Sequence, residues 1–198
     1  MSKNKLSSSK REARTAVLFI WSLLIIYPIM VVLGYYFENT QEIDIGMILL
    51  AFLATFICAG IMIVSLVMFL IWFYKAYSNL YKQTPLKYKK KWAVLGWLVP
   101  VINFYLPYLM VKEMYSNIAV LTNNSLAHES AKKLTTINIW WTLYILMWIL
   151  DIAYYATIYP DTSAIFNIAT YSLMIPSIWF TVKIIQDYCR FEGQLFLE

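Results

Sequence analysis

One stretch of the chain, residues 45–74, constrains the fold most, because it runs for 30 residues without a charged side chain. As an α-helix it would be roughly 45 Å long, whereas the hydrocarbon core of a bilayer is about 30 Å thick. The whole chain is 61% hydrophobic and only 14% charged, which is typical of a membrane protein. The stretch therefore predicts a membrane-spanning helix that tilts or projects from the bilayer.

Three further apolar runs, residues 16–37, 134–158 and 162–182, predict three more spans. The first of them is too long for the apolar core of a signal peptide and lacks a small-residue cleavage pattern, so we expect it to be retained. Residues 1–15 are polar, serine-rich and basic, which predicts a disordered cytoplasmic tail. Residues 183–198 have mixed charge and predict a second short cytoplasmic tail.

A fifth apolar segment, residues 92–111, is interrupted by Pro100, Asn103 and Pro107. Each proline removes a backbone donor and disturbs helical geometry. Backbone carbonyls freed at membrane depth are tolerated only where protein or water covers them, and Asn103 is placed to satisfy some of them. The segment is either a bent hairpin with its apex near residues 100–103 or a fifth span kinked by two prolines.

The charge distribution favours the hairpin. If the segment does not cross, all 16 lysines and arginines lie on one side, together with both termini. The other side then receives Glu38, Glu42, Asp44 and Asp161 and no basic residue. The positive-inside rule selects this arrangement with both termini in the cytoplasm. We therefore predict an all-α integral membrane protein with four transmembrane helices plus a proline-broken re-entrant or interfacial helical hairpin, in a single membrane domain of residues 16–182.

The unusual residues of the chain cluster in two runs, WFYKAYSNL at 72–80 and KKWAVLGWLVPVINFYLPYLMVKEMYSN at 90–117. Their order and spacing resemble the signature of the bacterial domain of unknown function 4328 family. The resemblance implies a multi-pass protein of the bacterial cytoplasmic membrane and no particular reaction. The lysine-rich residues 87–91 depart from the family, which more often has a short polar and glycine turn there. The residues that carry the match are Lys75, Asn79, Leu80, Trp92, Trp97, Pro100, Asn103, Pro107, Tyr108 and Glu113.

A basic loop precedes the hairpin segment. A cytoplasmic loop of this kind attracts anionic lipid at about 1 kcal/mol per basic residue. The alternative is an ordinary positive-inside loop that sets the topology and binds nothing. The candidate contacts to lipid headgroups are Lys82, Lys87, Lys89, Lys90 and Lys91.

Glu113 follows the hairpin segment directly. We expect it to pair with Lys75 or Lys82 and so to hold the hairpin to the second helix. The alternative is an exposed ion pair worth under about 1 kcal/mol. The aromatic residues of the segment, Trp97 and Tyr108 among them, are predicted to anchor it at the membrane interface.

Asp151 is the only charged residue inside the clear spans. Intramembrane acids are candidates for function by default. This one lies about seven residues, roughly 10 Å, from the predicted outer end of its span. We therefore expect an acid that is solvated or hydrogen-bonded by Tyr144, Tyr154 or Tyr155.

No catalytic constellation accompanies these residues. The chain has one histidine, His128, and it has no paired carboxylates and no glycine-rich phosphate loop. We predict a non-enzymatic membrane protein without cofactor, metal site or nucleic-acid partner. Its expected partners are the bilayer, with anionic lipids at the cytoplasmic face, and a protein partner or a second copy of the chain. The alternative function is a small transporter or channel subunit lined by the re-entrant segment.

Overall fold

The computed structural model describes residues 8–39, 44–121, 127–156 and 163–195, and these ranges contain helices and no strand. Of the residues in these ranges, 90% are helical. In chain order the helices are α1 (Lys10–Asn39), α2 (Ile45–Tyr81), α3 (Trp92–Leu98), α4 (Pro100–Asn103), α5 (Leu106–Leu121), α6 (Ala127–Ala156) and α7 (Ser163–Leu195).

Four of these helices, α1, α2, α6 and α7, are long and apolar enough to cross a membrane. They are arranged around a common core: α1 packs on α2 and on α7, and α7 packs on α6. The short helices complete the arrangement, because α3 contacts α2 and α5 contacts both α6 and α7. The predicted fold class is confirmed.

The first helix of the hairpin ends just before Pro100, the first of its two prolines. Val99 precedes Pro100, and its backbone is extended, with φ −89° and ψ 113°, because the proline ring disfavours helical geometry at the preceding residue. The chain then reverses, and α3 packs on α5, so closely that a Cβ added at Gly96 would lie 3.2 Å from Leu106 Cδ2. The two ends of the segment come together again, since the Lys87 N–H donates to Glu113. The segment therefore folds back on itself, as the hairpin prediction has it, and does not run on as one kinked helix.

The predicted tails are wrong for the parts that the structure describes. Helix α1 already begins at Lys10, and Ser9 and Ala13 are buried. Helix α7 continues to Leu195, with Ile185 and Tyr188 almost fully buried. The reason is that both segments place apolar or small side chains on one face despite their overall polarity. Residues 1–7 and 196–198 lie outside the described ranges.

The C-terminal parts of α2 and α5, which end at Tyr81 and Leu121, extend toward the same end of the molecule. The prolonged ends pack together into what we call the basic-end bundle, made of residues 8–15, 75–81, 110–121 and 183–195. Its core consists of Ala13, Ala76, Tyr77, Leu80, Met110, Val111, Met114, Tyr115, Ile118, Ile184, Ile185, Tyr188, Cys189 and Phe191.

Candidate functional site

The basic-end bundle contains one buried carboxylate at its centre, that of Glu192, a residue that is only 3% exposed. Its Oε2 accepts hydrogen bonds from the Ser9 backbone N–H at 3.1 Å and from the Ser9 hydroxyl at 2.5 Å. Its Oε1 accepts from the Asn79 side-chain amide at 2.7 Å. Since a buried carboxylate is costly unless it is hydrogen-bonded, these donors fix the relative positions of the chain before α1, the end of α2 and the end of α7.

Two buried tyrosines join further helices of the bundle. The Tyr115 hydroxyl of α5 donates to the Ile184 carbonyl of α7 at 2.7 Å. The Tyr188 hydroxyl of α7 lies 3.3 Å from the Ala76 carbonyl of α2, to which it donates. Burial raises the pKa of Tyr115 well above its ordinary value, so its phenol stays protonated and remains a donor.

Lys75, a residue of the family motif, forms an ion pair with Glu12, with Nζ to Oε1 at 2.9 Å. The Arg11 guanidinium lies 3.6 Å from the same oxygen, but its side chain is 91% exposed. The pair therefore links α1 to α2 beside Glu192. The expectation that Lys75 or Lys82 pairs with Glu113 is wrong, because Glu12 from the supposed tail takes Lys75.

Glu113 nevertheless holds the hairpin to α2, through a tyrosine and a backbone amide. Its Oε2 accepts from the Tyr77 hydroxyl at 2.8 Å, and its Oε1 accepts from the Lys87 N–H at 2.5 Å. The Tyr77 oxygen also lies 3.0 Å from the Tyr88 carbonyl. One carboxylate on α5 thus fixes both the end of α2 and the start of the lysine run.

The predicted headgroup contacts form what we call the basic-loop surface: Lys82, Lys87, Lys89, Lys90 and Lys91. All of these residues except Lys90 are exposed. The Lys90 ammonium lies over the Tyr81 ring, 4.9 Å from its centroid. The nearby acids Glu12, Glu113 and Glu192 are engaged by internal donors, so they offer little competition for an approaching anion.

The tip of the hairpin is bonded to α6. The Asn103 amide nitrogen donates to the Tyr144 hydroxyl at 2.9 Å, and the Trp141 indole donates to the Phe104 carbonyl at 3.2 Å. It is therefore Trp141, which sequence reasoning missed, that satisfies a carbonyl at the turn. The Asn103 side-chain oxygen is buried and has no hydrogen-bond partner among the described residues.

Two aromatic residues of the motif, Trp97 and Tyr108, are partly buried against neighbouring helices, and their place at the membrane interface stays a prediction. The Trp97 ring lies edge-on to Phe69 of α2, with centroids 5.1 Å apart, and also contacts Trp141 of α6 at 6.2 Å. The Tyr108 ring stacks on Trp141 at 5.9 Å, and its hydroxyl donates to Asn138 at 2.8 Å. Trp92 and Pro107 also contribute to the core, Pro107 being fully buried.

Asp151 is exposed on the surface of α6. The expected hydrogen bond from Tyr144 does not form, because that hydroxyl faces Asn103 on the hairpin. The Tyr154 ring packs edge-on against Phe166, with centroids 6.2 Å apart. The side chains of Tyr155 and His128 lie outside the described part of the chain. No described contact joins Asp151 to a residue of the family motif.

A cavity of about 300 Å³ lies between the four long helices, with Trp97 of the hairpin in its wall. Its lining is largely apolar, with the hydroxyls of Ser65 and Thr181 among the polar groups. Both hydroxyls are engaged: Ser65 donates toward the Phe19 carbonyl at 3.0 Å, and Thr181 donates to the Ser177 carbonyl at 2.8 Å. Such a lining suits an apolar or weakly polar molecule better than an ion.

Sequence reasoning found Asn79 and Glu113 but missed Glu192, Ser9 and Tyr77. A signal for Glu192 exists in the spacing of Ile184, Ile185, Tyr188 and Phe191, which continues a helical face beyond the predicted span. No comparable signal marks Ser9, which precedes the first helix.

The comparisons with known proteins agree with this placement of the motif. The profile of one family, Domain of unknown function (DUF4328), matches residues 39–188 and thus covers α2 to most of α7. No curated protein matches the chain, and no solved structure does so either. Since the match extends over far more than half of the sequence, the chain belongs to the DUF4328 family.

Proposed function

We propose that this protein is a non-enzymatic membrane protein whose basic-loop surface binds the headgroups of anionic lipids at the cytoplasmic face. The observation that carries the proposal is the double hydrogen bond of Glu113 to Tyr77 and to the Lys87 N–H. This contact holds the lysine run against the helical core. A loop held in this way presents its ammonium groups at a fixed place on the protein surface.

Electrostatics supports a lipid partner at this place. Each basic residue near an anionic membrane surface contributes about 1 kcal/mol, and the five lysines of the basic-loop surface lie within ten residues of one another. Salt screens such attraction over about 8–10 Å, so the surface must lie close to the headgroups to act. The adjoining hairpin, which packs among the apolar helices, keeps it there.

The test compares lipids at the protein boundary in reconstituted vesicles. Spin-labelled phosphatidylglycerol and phosphatidylcholine report, by electron paramagnetic resonance, how much of each lipid the protein restricts. We expect a preference for phosphatidylglycerol that falls at least twofold when Lys87, Lys89, Lys90 and Lys91 are replaced by glutamine. No preference in the wild-type protein would contradict the proposal.

A second pair of variants separates an ordered surface from charge alone. Glu113→Gln removes a negative charge but also weakens the support of the loop, whereas Asp187→Asn removes a negative charge elsewhere in the basic-end bundle. We expect Glu113→Gln to lower the lipid preference and Asp187→Asn to leave it equal or higher. Equal effects of the two variants would mean that only the charge count matters.

A second candidate is a small transporter or channel subunit, and the central cavity of about 300 Å³ supports it. The hairpin would then close the cavity at the basic end, with Trp97 as part of the barrier. Uptake of small uncharged solutes by proteoliposomes should rise for Trp97→Ala and stay unchanged for the exposed Leu98→Ala. Absence of protein-dependent uptake in both variants would exclude this candidate.

A further inference from the structure

A groove of about 510 Å³ lies between the beginning of α1 and the end of α7, away from the basic-loop surface. From α1 it is lined by Lys10, Arg14 and Val17, which follow one another at helical spacing on one face. From α7 its lining residues include Gln186, Arg190 and Gln194, which are spaced by four. The remaining lining residues are Ala13, Ile185, Cys189 and Gly193.

The rim of the groove is cationic and the lining contains no acid. Lys10, Arg14 and Arg190 are all exposed. Two acids lie nearby, on other sides of the same helices. Glu12 pairs with Lys75, and Glu192 accepts hydrogen bonds from Ser9 and Asn79. Guanidinium and ammonium groups are the side chains that recognise phosphate esters, and here two of the first and one of the second line one groove. The Arg190 guanidinium also lies 5.6 Å from the centroid of the Phe191 ring.

The apolar part of the groove lies deeper than its cations. Val17 is seven residues beyond Lys10 along α1, which corresponds to roughly 10 Å toward the apolar part of that helix. Ile185 precedes Arg190 by five residues in α7, which runs the opposite way, so it lies on the same side of the cations. A free phosphate would use the rim alone, whereas a phospholipid would use the rim and the apolar part together.

We infer that this groove binds one anionic phospholipid, with its phosphate at Lys10, Arg14 and Arg190 and an acyl chain along Val17 and Ile185. The site shares no residue with the basic-loop surface. It therefore does not depend on the proposed function, and each of the two can fail alone.

Gly193 provides a direct way to fill the groove. A Cβ built at this glycine meets no atom within 4 Å, and the residue lies in the wall of the groove. Gly193→Leu therefore begins a side chain in open space and extends it into the groove proposed for the lipid. Gly60 in α2 also has open space around its Cβ position, outside the groove, so Gly60→Leu is the matched control.

The experiment titrates the purified full chain in a non-ionic detergent with phosphatidylglycerol or phosphatidylcholine and counts bound lipids by native mass spectrometry. We expect one tightly retained phosphatidylglycerol and at least tenfold weaker retention in Gly193→Leu and in the double variant Arg14→Gln/Arg190→Gln. Gly60→Leu and the glutamine variant of the basic-loop surface should retain this lipid as the wild type does. If Gly193→Leu does not fold, the arginine variant decides.

Three results would overturn the inference. Equal retention of both lipids would show that the cations do not recognise the headgroup. Full retention by the groove variants would place the lipid elsewhere. Displacement of the lipid by millimolar inorganic phosphate would show that the rim binds a free anion and that the apolar part plays no role.

Discussion

Glu192 joins three segments of the basic-end bundle through its carboxylate. It is almost completely buried, and its carboxylate receives three hydrogen bonds from Ser9 and Asn79. The net gain from one such bond is modest, about 1.5–3 kcal/mol where one partner is charged. The cost of leaving the carboxylate without a donor is larger, because water does not replace the missing partner in a packed interior. Changes at its donors are therefore more informative than changes at exposed residues nearby.

Asn79 is the donor whose role is most easily tested. We expect Asn79→Ala to lower the free energy of unfolding by about 1–3 kcal/mol, because Glu192 Oε1 loses its donor. Asn79→Asp should destabilise more, since it places a second carboxylate 2–3 Å from the first, as the present distance of 2.7 Å implies. Thermal unfolding in detergent, followed by tryptophan fluorescence, measures both.

The control for this prediction is Ser78→Ala, one residue away and partly exposed. It should leave the unfolding temperature within about 1 °C of the wild type, since exposed polar substitutions change stability little. If Asn79→Asp were as stable as the wild type, the two carboxyl groups would have to share a proton, or Glu192 would have to be less buried than the structure shows.

At the scale of the element, the hairpin depends on the close contact between α3 and α5. A Cβ at Gly96 would lie 3.2 Å from Leu106 Cδ2, so the glycine allows these two helices to approach. We expect Gly96→Val to destabilise the protein by about 1–3 kcal/mol through overpacking. The double variant Gly96→Val/Leu106→Ala should recover part of this loss, because the smaller side chain makes room. Thermal unfolding in detergent again measures both.

Gly60→Val is the control for the hairpin prediction, since space around Gly60 is open. It makes the same change in intrinsic helix propensity, from glycine to valine, without the contact to α5. If Gly96→Val and Gly60→Val were equally destabilising, or if Leu106→Ala gave no recovery, the contact between α3 and α5 would not limit the stability of the hairpin.

The hairpin and the basic-end bundle differ in how far the sequence predicts them. Pro100 and the one-sided distribution of charge suffice for the hairpin, because both act locally or through a general rule. The bundle is not predicted from the sequence, because residues 183–195 mix charged and apolar side chains. By composition they differ from the long apolar runs that mark the spans. Only the burial of one helical face, with Tyr188 at its centre, makes this segment a helix that packs.

The partners of the motif residues are harder to predict than the motif itself. A rule based on opposite charges predicts an ion pair between Glu113 and a lysine. In the structure Glu113 instead accepts hydrogen bonds from the Tyr77 hydroxyl and from a backbone N–H. Likewise Asn103 meets Tyr144, which is 41 positions away. Such pairs depend on how α2, α5 and α6 pack, and a single sequence contains no local signal for that.

At the scale of the whole molecule, the basic residues and the folded-back hairpin meet at one end. The beginnings of α1 and α6 and the ends of α2, α5 and α7 lie there, as the contacts of Lys75 with Glu12 and of Lys133 with the Phe191 ring show. On the described residues, Asp44 caps the other end of α2 through its contact with the Gly46 N–H. This asymmetry of charge predicts that the basic end faces the cytoplasm.

Orientation can be tested with single cysteines at Ser8, Ser125 and Asp161, in a background that lacks Cys58 and Cys189. A membrane-impermeant thiol reagent added to intact cells should label position 161 alone, and the other two positions only after permeabilisation.

Labelling at 8 and 125 but not at 161 would mean that the whole protein is inserted the other way, so that the basic-loop surface meets the outer leaflet. Labelling at 125 alone would mean that residues 92–111 cross the membrane after all, which contradicts the hairpin. The hairpin places the two ends of residues 92–111 on one side of the membrane. Positions 8 and 125 must therefore have the same accessibility to the reagent, whichever way the protein is inserted.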